Sequence, residues 1–385
     1  MRNVYVDNNA TTRVAPEVVE EMLPYFSELY GNPSSMHQFG GQIEKKVKEA
    51  RERAASLLNC DPTEIIFSSC GTESDSTAIR GTLESYPDKK HIVTTRVEHP
   101  AVLNLCRHLG KNGYKLTELS VDKKGNLDLD ELEKSIGDTT AIVSIMYANN
   151  ETGVIFPIEE IGEIVKRKGV VFHCDAVQAA GKIPLDMSKS TIDLLSLSGH
   201  KLHAPKGIGA LYIRKGTKLT PFMIGGHQEK GRRAGTENVP YIVGLGKASE
   251  LALKQMEDEI TRVRTLRDRL EEELLMRCPD SQINGDRKHR LPNTTNISFE
   301  YVEGEAILLM LSEKGIAASS GSACTSGSLE PSHVLRAMGV PFTHVHGSLR
   351  LSLSRYNTDE DIDYIIGHLP SIIKRLREIS PFGKD

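Results

Sequence analysis

Residues 193–213 read DLLSLSGHKLHAPKGIGALYI. An apolar run stops at Ser-Gly-His-Lys, turns through Ala-Pro-Lys-Gly and resumes as a second apolar run. Two strands this close have no room for a helical crossover, so they are expected to pair antiparallel. The turn between them carries Lys201, beside His200 and two residues before His203. A lysine there either lies on a solvated loop or is held near something with which it reacts.

The sequence upstream repeats a different unit: a short apolar strand, a polar turn, then an amphipathic helix. IIFSSCGTESDSTAIRGTLES runs from a strand at Ile65–Ser68 through a turn at Cys70 to Thr72 and into a helix from Glu73. HIVTTRVEHPAVLNLCRHLGKNG does the same, with Pro100 suited to the first helical position. AIVSIMYANNETGVIFPIEEIGEIVKRKG predicts a helix from about Pro157 that ends before Gly169. VVFHCDAVQAAG supplies another strand. Apolar runs separated by helices predict a mainly parallel sheet covered on both faces. The pair around Lys201 then puts one antiparallel strand into it. A long helical segment over 241–276 follows, its charged second half reading as a connector. Beyond Cys278 the strand TTNISFE, the helix EGEAILLMLSEKG, the strand GSLRLSLS and a final helix predict a smaller α+β domain. The fold class is α/β.

Composition narrows the function. The chain has 385 residues, 38% hydrophobic and 26% charged, with a formal net charge of −4, which argues against nucleic acid or an anionic membrane recruited by bulk charge. No apolar run is long enough to span a bilayer. The opening MRNVYVDNNATTRV lacks the pattern of a signal peptide. Six cysteines, none in a CxxC pair, fit reduced thiols and a cytoplasmic location. No GxGxxG follows the early strands, which leaves no support for a nicotinamide dehydrogenase.

In open parallel sheets, ligands sit beyond the carboxyl ends of the strands. Those ends carry Gly71 and Thr72, His99, Asn149 and Asn150, Asp175 with Gln178, and Ser198, His200 and Lys201. Gly71 and Thr72 at a helix start offer backbone N–H groups, a hydroxyl and a helix dipole, as an anion site does; an ordinary helix cap looks the same. Glu73 and Asp75 are expected to point away from any phosphate. Asp175 at the end of a buried strand needs a protonated ring nitrogen or an arginine as partner. Lys201 as a nucleophile needs its pKa lowered by apolar crowding or a second cation. Phosphate site, aspartate and lysine together are the three anchors of pyridoxal phosphate. His99 is placed to lie over such a ring or shuttle protons there as a catalytic residue, or else to act as a cap.

Cys324 lies in ASSGSACTSGSLEPS, a Gly- and Ser-rich segment expected to be exposed and mobile. A nucleophilic thiol there needs a neighbouring base or cation. In SLRLSLS, alternation puts Ser348, Arg350 and Ser352 on one face, where Arg350 offers a fork for a carboxylate or makes a surface ion pair. His344 with His346, and His200 with His203, lack the further ligands a metal site needs.

With these residues in view, the sequence resembles the NifS/IscS-type cysteine desulfurases, pyridoxal-phosphate enzymes of the aspartate-aminotransferase fold. The likeness runs in order through VYVDNNATTRV, YGNPSSMHQFG, GTESDS, VEHPAV, YANNETGVIFP, HCDAVQAAGK, SGHKLHAPKGIGALY, GRRAGTENVP, SGSACTSGSLEPS and RLSLSRYNT, leaning toward the NifS branch. It implies a seven-stranded sheet in a large domain over 15–255. It also implies a small domain of 1–14 and 256–385, carrying a mobile catalytic loop at about 319–331. It makes Lys201 the lysine that holds the cofactor aldehyde and Asp175 the partner of the pyridine nitrogen. His99 would stack on the ring, and Asn150 and Gln178 would contact its phenolic oxygen. Gly71, Thr72, Ser198 and His200 would hold the phosphate, with Thr236 reaching the phosphate of a neighbouring subunit in a homodimer. Arg350, with Asn150, would bind the substrate, and Cys324 would accept its sulfur as a persulfide while alanine leaves. That sulfur would go to an iron–sulfur scaffold or another acceptor protein. The one metal contact implied is at Cys324, whose carried sulfur would meet the iron of a cluster. Cys70 stands where a small residue is expected and has no assigned role. Another enzyme of this fold, an aminotransferase or a selenocysteine lyase, is the alternative; an aminotransferase has no use for Cys324.

Overall fold

The computed structural model describes residues 2–320 and 331–381. The predicted strands form because short β-branched and apolar runs are buried on both faces. Along Ile65–Ser68 (β2), His91–Thr95 (β3), Thr140–Ser144 (β5), Val171–Asp175 (β6), Leu194–Ser198 (β7) and Gly209–Ile213 (β8) every residue is buried. Successive side chains feed two different cores. Phe67, Val93, Val143, Phe172, Leu195 and Tyr212 face one core, while Ile66, Ile92, Ile142, Val171, Leu194 and Leu211 face the other.

Among the described residues these strands and Lys115–Leu119 (β4) make a seven-stranded sheet, ordered β2-β8-β7-β6-β5-β3-β4. Only β8 runs antiparallel to its neighbours β7 and β2, as the short Lys201 turn requires. The segment KLTEL of β4 is an edge strand, paired with β3 alone and largely half-exposed. Its polar, half-solvated pattern is why periodicity does not reveal it.

Helices cover both faces. Gly71–Ser85 and Pro100–Lys111 pack on one, and Gln38–Leu58, Ile158–Arg167 and Val239–Lys254 on the other. Pro100 occupies a first-turn position and Gly169 takes φ +63 after its helix. The helix Gly71–Ser85 starts two residues before the sequence suggests.

The segment 241–276 is not one helix. Val239–Lys254 ends at Gln255, a short turn follows, Glu259–Val263 is π-helical, and Arg264–Arg277 resumes. The two halves serve different cores: Leu245 and Ala248 join that of the large sheet, while Leu266, Leu270 and Leu274 join a third cluster. The charged half is therefore no solvated connector. Its Glu271 is fully buried, pairing with Arg290 and accepting from the Thr295 hydroxyl.

That third cluster lies against an antiparallel sheet of Ser348–Ser352 (β12), Thr294–Phe299 (β10) and Ser281–Ile283 (β9). It is covered by Gly304–Glu313 and Asp359–Ile379. The chain start joins it, since Val4–Tyr5 (β1) pairs with Ile316–Ala317 (β11) and Val4 and Val6 are buried there. No described helix is long and apolar enough to cross a membrane.

Candidate active site

The carboxyl ends of β5, β6 and β7, the start of the helix after β2 and the middle of β12 surround one cavity of about 380 Å³. The sequence-selected residues Gly71, Thr72, His99, Asn150, Asp175, Gln178, Ser198, His200, Lys201 and Arg350 all line it.

The helix Gly71–Ser85 enters the cavity without a side-chain cap. Glu73 turns away, as the sequence suggests: it accepts from the Ser69 N–H at 2.8 Å and pairs with Arg233 at 2.8 Å. The first N–H groups of the helix, at its positive dipole end, thus meet the cavity. A Cβ on Gly71 would lie 2.9 Å from Val177 Cγ2 and 3.4 Å from Ser198 Cβ, so only glycine lets the helix start approach the strand ends this closely. These features fit an anion such as phosphate.

Asp75 departs from expectation and lines the cavity one turn below Gly71. It is buried, with Oδ1 lacking a hydrogen-bond partner among the described residues and 3.6 Å from His173 Nε2. Burial, then Asp175, push its pKa well up, and burial pushes His173 down to about 3. Both shifts favour the neutral forms and so oppose an ion pair between the two groups. A carboxyl shifted toward its neutral form repels an anion less, which is how it is tolerated here.

Asp175 closes β6. Its Oδ1 accepts from the Val177 N–H at 2.9 Å. Burial raises its pKa to about 6, against the pull of that N–H and of Lys201. A cationic ring nitrogen is the partner such a carboxylate lacks.

His99 is both a cap and a cavity residue. Its Nδ1 accepts from the Ala101 N–H at 3.2 Å, which puts the ring proton on Nε2. Burial first, then Lys201 and His333, lower its pKa to about 4. Of the two asparagines, Asn149 builds the turn: its side chain accepts from the Glu151 and Thr152 N–H groups and donates to Val97 O. Asn150 lines the cavity.

Lys201 is not on a solvated loop. Its Nζ donates to Asn9 O and Ala10 O, both at 2.7 Å. The turn that carries it is stitched to the chain start by Thr12, which bonds His200 O through both N–H and hydroxyl. His200 meets the Thr11 hydroxyl at 3.2 Å, and burial with Lys201 pushes its pKa to about 3. Gln178 donates from Nε2 to Asn9 O at 2.9 Å and accepts at Oε1 from Lys182 at 3.0 Å.

Arg350 comes from the other sheet. Leu349, Leu351 and Leu353 fill the core of that sheet, and the alternation turns Arg350 to the cavity. At 2% exposure it is no surface residue. Nη2 pairs with Asp7 at 2.9 Å and Nη1 donates to Asn150 O at 3.0 Å. The ion pair is real but buried, and it holds the guanidinium at the cavity wall.

Thr236 lies elsewhere, lining a second cavity with Arg233, Gly235 and Glu237. Cys324 falls in 321–330, outside the described residues. Both neighbours of that segment are anchored beside the cavity. Ser319 pairs with the Arg350 backbone, Ser332 donates to Glu151, and His333 meets Glu98 O at 3.0 Å.

Sequence reasoning missed Asn9, Ala10, Asp75 and Lys182. An asparagine-rich stretch with neither helix nor strand period, and an ionisable residue four after Gln178, are the signals that could have found them.

The class-V aminotransferase family model matches residues 4–365. A protein named cysteine desulfurase from Trichormus azollae is 63% identical, covering 100% of this chain and 96% of its own. The cysteine desulfurase NifS of Azotobacter vinelandii is 57% identical over 99% of this chain and 95% of its own. A solved structure described as a NifS-like protein superposes with a TM-score of 0.92 at 40% identity, over 97% of this chain and 100% of that one. The chain belongs to the class-V aminotransferase family, among its NifS-type cysteine desulfurases.

Proposed function

We propose that this protein is a cysteine desulfurase that takes the sulfur of L-cysteine onto Cys324 and releases L-alanine. The observation that carries the reading is the meeting, on one cavity, of an uncapped helix start, a buried aspartate and a strand-end lysine with an arginine from the second sheet. These residues fit pyridoxal phosphate. Gly71, Thr72, Ser198 and His200 hold its phosphate, Asp175 its ring nitrogen, Asn150 and Gln178 its phenolic oxygen, and Lys201 its aldehyde carbon, with His99 against the ring. When bound, the cofactor supplies an electron sink for bond cleavage at the carbons of the amino acid.

The residues of the chain do the rest. Arg350, pre-positioned by Asp7 and Asn150 O, binds the substrate carboxylate. Lys201 Nζ moves the proton at the substrate α-carbon. The Cys324 thiol, having lost its proton, forms a sulfur–sulfur bond as the carbon–sulfur bond of cysteine breaks. The carbon keeps that electron pair, takes a proton and leaves as alanine. Ser319, whose backbone pairs with that of Arg350, lies five residues before Cys324 in the chain.

The persulfide passes to an iron–sulfur scaffold or another acceptor protein. Thr236 completes the phosphate site of a second subunit in a homodimer; supporting this, Phe222, Met223 and Ile224 in the same loop region are exposed, Ile224 at 87%. The free Cys60, Cys70, Cys106, Cys174 and Cys278 support a reducing, cytoplasmic location. The second hydrophobic cluster draws only on 1–14 and 256–385, which supports a small domain there beside a large one of 15–255, although Leu291, Val334, Leu335, Met338 and Val345 pack with the core of the large sheet.

The test is a visible spectrum of the protein reconstituted with pyridoxal phosphate, with sulfide and alanine assayed after cysteine is added. Cys324→Ala is expected to keep the colour and lose sulfide formation. Normal turnover by that variant would remove Cys324 from the reaction, and a colourless protein would remove the cofactor.

A further inference from the structure

The segment HCDAVQAAGK holds Asp175 and Gln178 at the cavity and ends on Lys182. Lys182 is 6% exposed and lies behind the cavity wall. Its Nζ donates to both oxygens of Gln178, the backbone O and Oε1, each at 3.0 Å. Gln178 in turn spends one N–H on Asn9 O at 2.9 Å. The same Asn9 carbonyl takes the Lys201 donor at 2.7 Å. A carbonyl oxygen only accepts, so the atom of Gln178 facing Asn9 must be its NH2. The amide therefore has one orientation, with its oxygen turned back to Lys182 and its second N–H left for the cavity.

We infer that Lys182 is a positioning residue, which locks Gln178 so that the cavity meets an N–H donor and not a carbonyl at that point. The inference rests on the cofactor reading above and deepens it: the wall selects an anionic oxygen such as the phenolic oxygen of a pyridoxal derivative. Without Lys182 the glutamine oxygen loses its partner, and the Asn9 carbonyl alone holds the amide.

A lysine suits this task. The groups facing it are Glu259 from the π-helical turn, Arg355, Lys201 and His203 along the same small cavity, with Arg350 beyond. Glu259 is the one acid among them. Burial, then Lys201, lower the Lys182 pKa to about 7. A neutral amine still carries two N–H groups, and Gln178 uses two. The lock therefore survives loss of the charge, and Lys182 need not remain a second cation beside Lys201.

Two probes without an aldehyde, pyridoxine 5'-phosphate and its 3-deoxy analogue, bind without bonding to Lys201 and differ only in the phenolic oxygen. Their affinities for the full-length apoprotein are compared by calorimetry in wild type, Lys182→Met, Gln178→Ala and the double variant. Wild type is expected to prefer the hydroxylated probe, and Lys182→Met to lose about tenfold of that preference, the effect of one hydrogen bond to a charged oxygen. Lys182→Met is expected to add nothing in the Gln178→Ala background. Should Lys182→Met fail to fold, Lys182→Leu, which likewise has no donor, carries the same test. An unchanged preference, or an equal loss for both probes, overturns the inference and leaves the cofactor reading intact. A wild type that binds neither probe overturns that reading itself.

Discussion

Glu98 is fully buried; its Oε1 accepts from the Thr95 hydroxyl at 2.7 Å and the Met146 N–H at 3.1 Å, while Oε2 has no hydrogen-bond partner among the described residues. Burial raises its pKa from an ordinary 4.5 to about 8. Between those values the native state keeps a proton that the unfolded chain has released. The stability this group contributes is present below about pH 4.5 and lost as pH rises through 8, at up to about 1.4 kcal/mol per pH unit. Glu98→Gln is expected to remove that slope. Its melting temperature should draw ahead of wild type as pH rises from 5 to 8, and parallel melting curves across that range would contradict the burial argument. Single residues near the site divide sharply in how readable they were. Lys201, Asp175 and Gly71 stand out because their types are unusual at the ends of apolar strands. Asp75 does not, since an acid in the first turns of a helix is ordinary on the surface. Its burial depends on how closely that helix sits on the sheet.

At the scale of elements, the helices Gln38–Leu58 and Val239–Lys254 touch through glycine. A Cβ on Gly246 would fall 2.5 Å from Ala50 Cα and 2.7 Å from its Cβ. Backbone cannot yield as a side-chain tip can, so the clash outweighs the better helix propensity of alanine. Gly246→Ala is expected to destabilise the fold by about 1–3 kcal/mol in denaturant titration. A gain in stability would show that the two helices can part. The periods of 2 and 3.6 found most elements that bury a complete face. They missed β4, which has one neighbour and a half-solvated surface. They also joined 241–276 into one helix, because the apolar positions continue in phase while the core they serve changes at Gln255.

At the scale of the molecule, the cavity draws on the chain start, five strand ends of the large sheet or the loops beyond them, and β12 of the second sheet, whereas Thr236 faces a different cavity. The protein is expected to sediment at about 85 kDa, twice the 42.5 kDa chain, with Ile224→Asp shifting it toward monomer. A wild-type monomer that still binds the cofactor at full affinity would deny Thr236 its role across subunits. What is local and periodic is legible along the chain: which stretches form strands and helices, why β8 must run antiparallel, and which residue types reach the strand ends. The folded arrangement alone reveals that Asn9 and Ala10 hold Lys201, that Asp7 holds Arg350 and that Lys182 bonds Gln178. Asn9 and Lys201, like Asp7 and Arg350, are far apart in the chain. No period links such residues; they meet because two cores close around one cavity, and buried polar groups must find partners there.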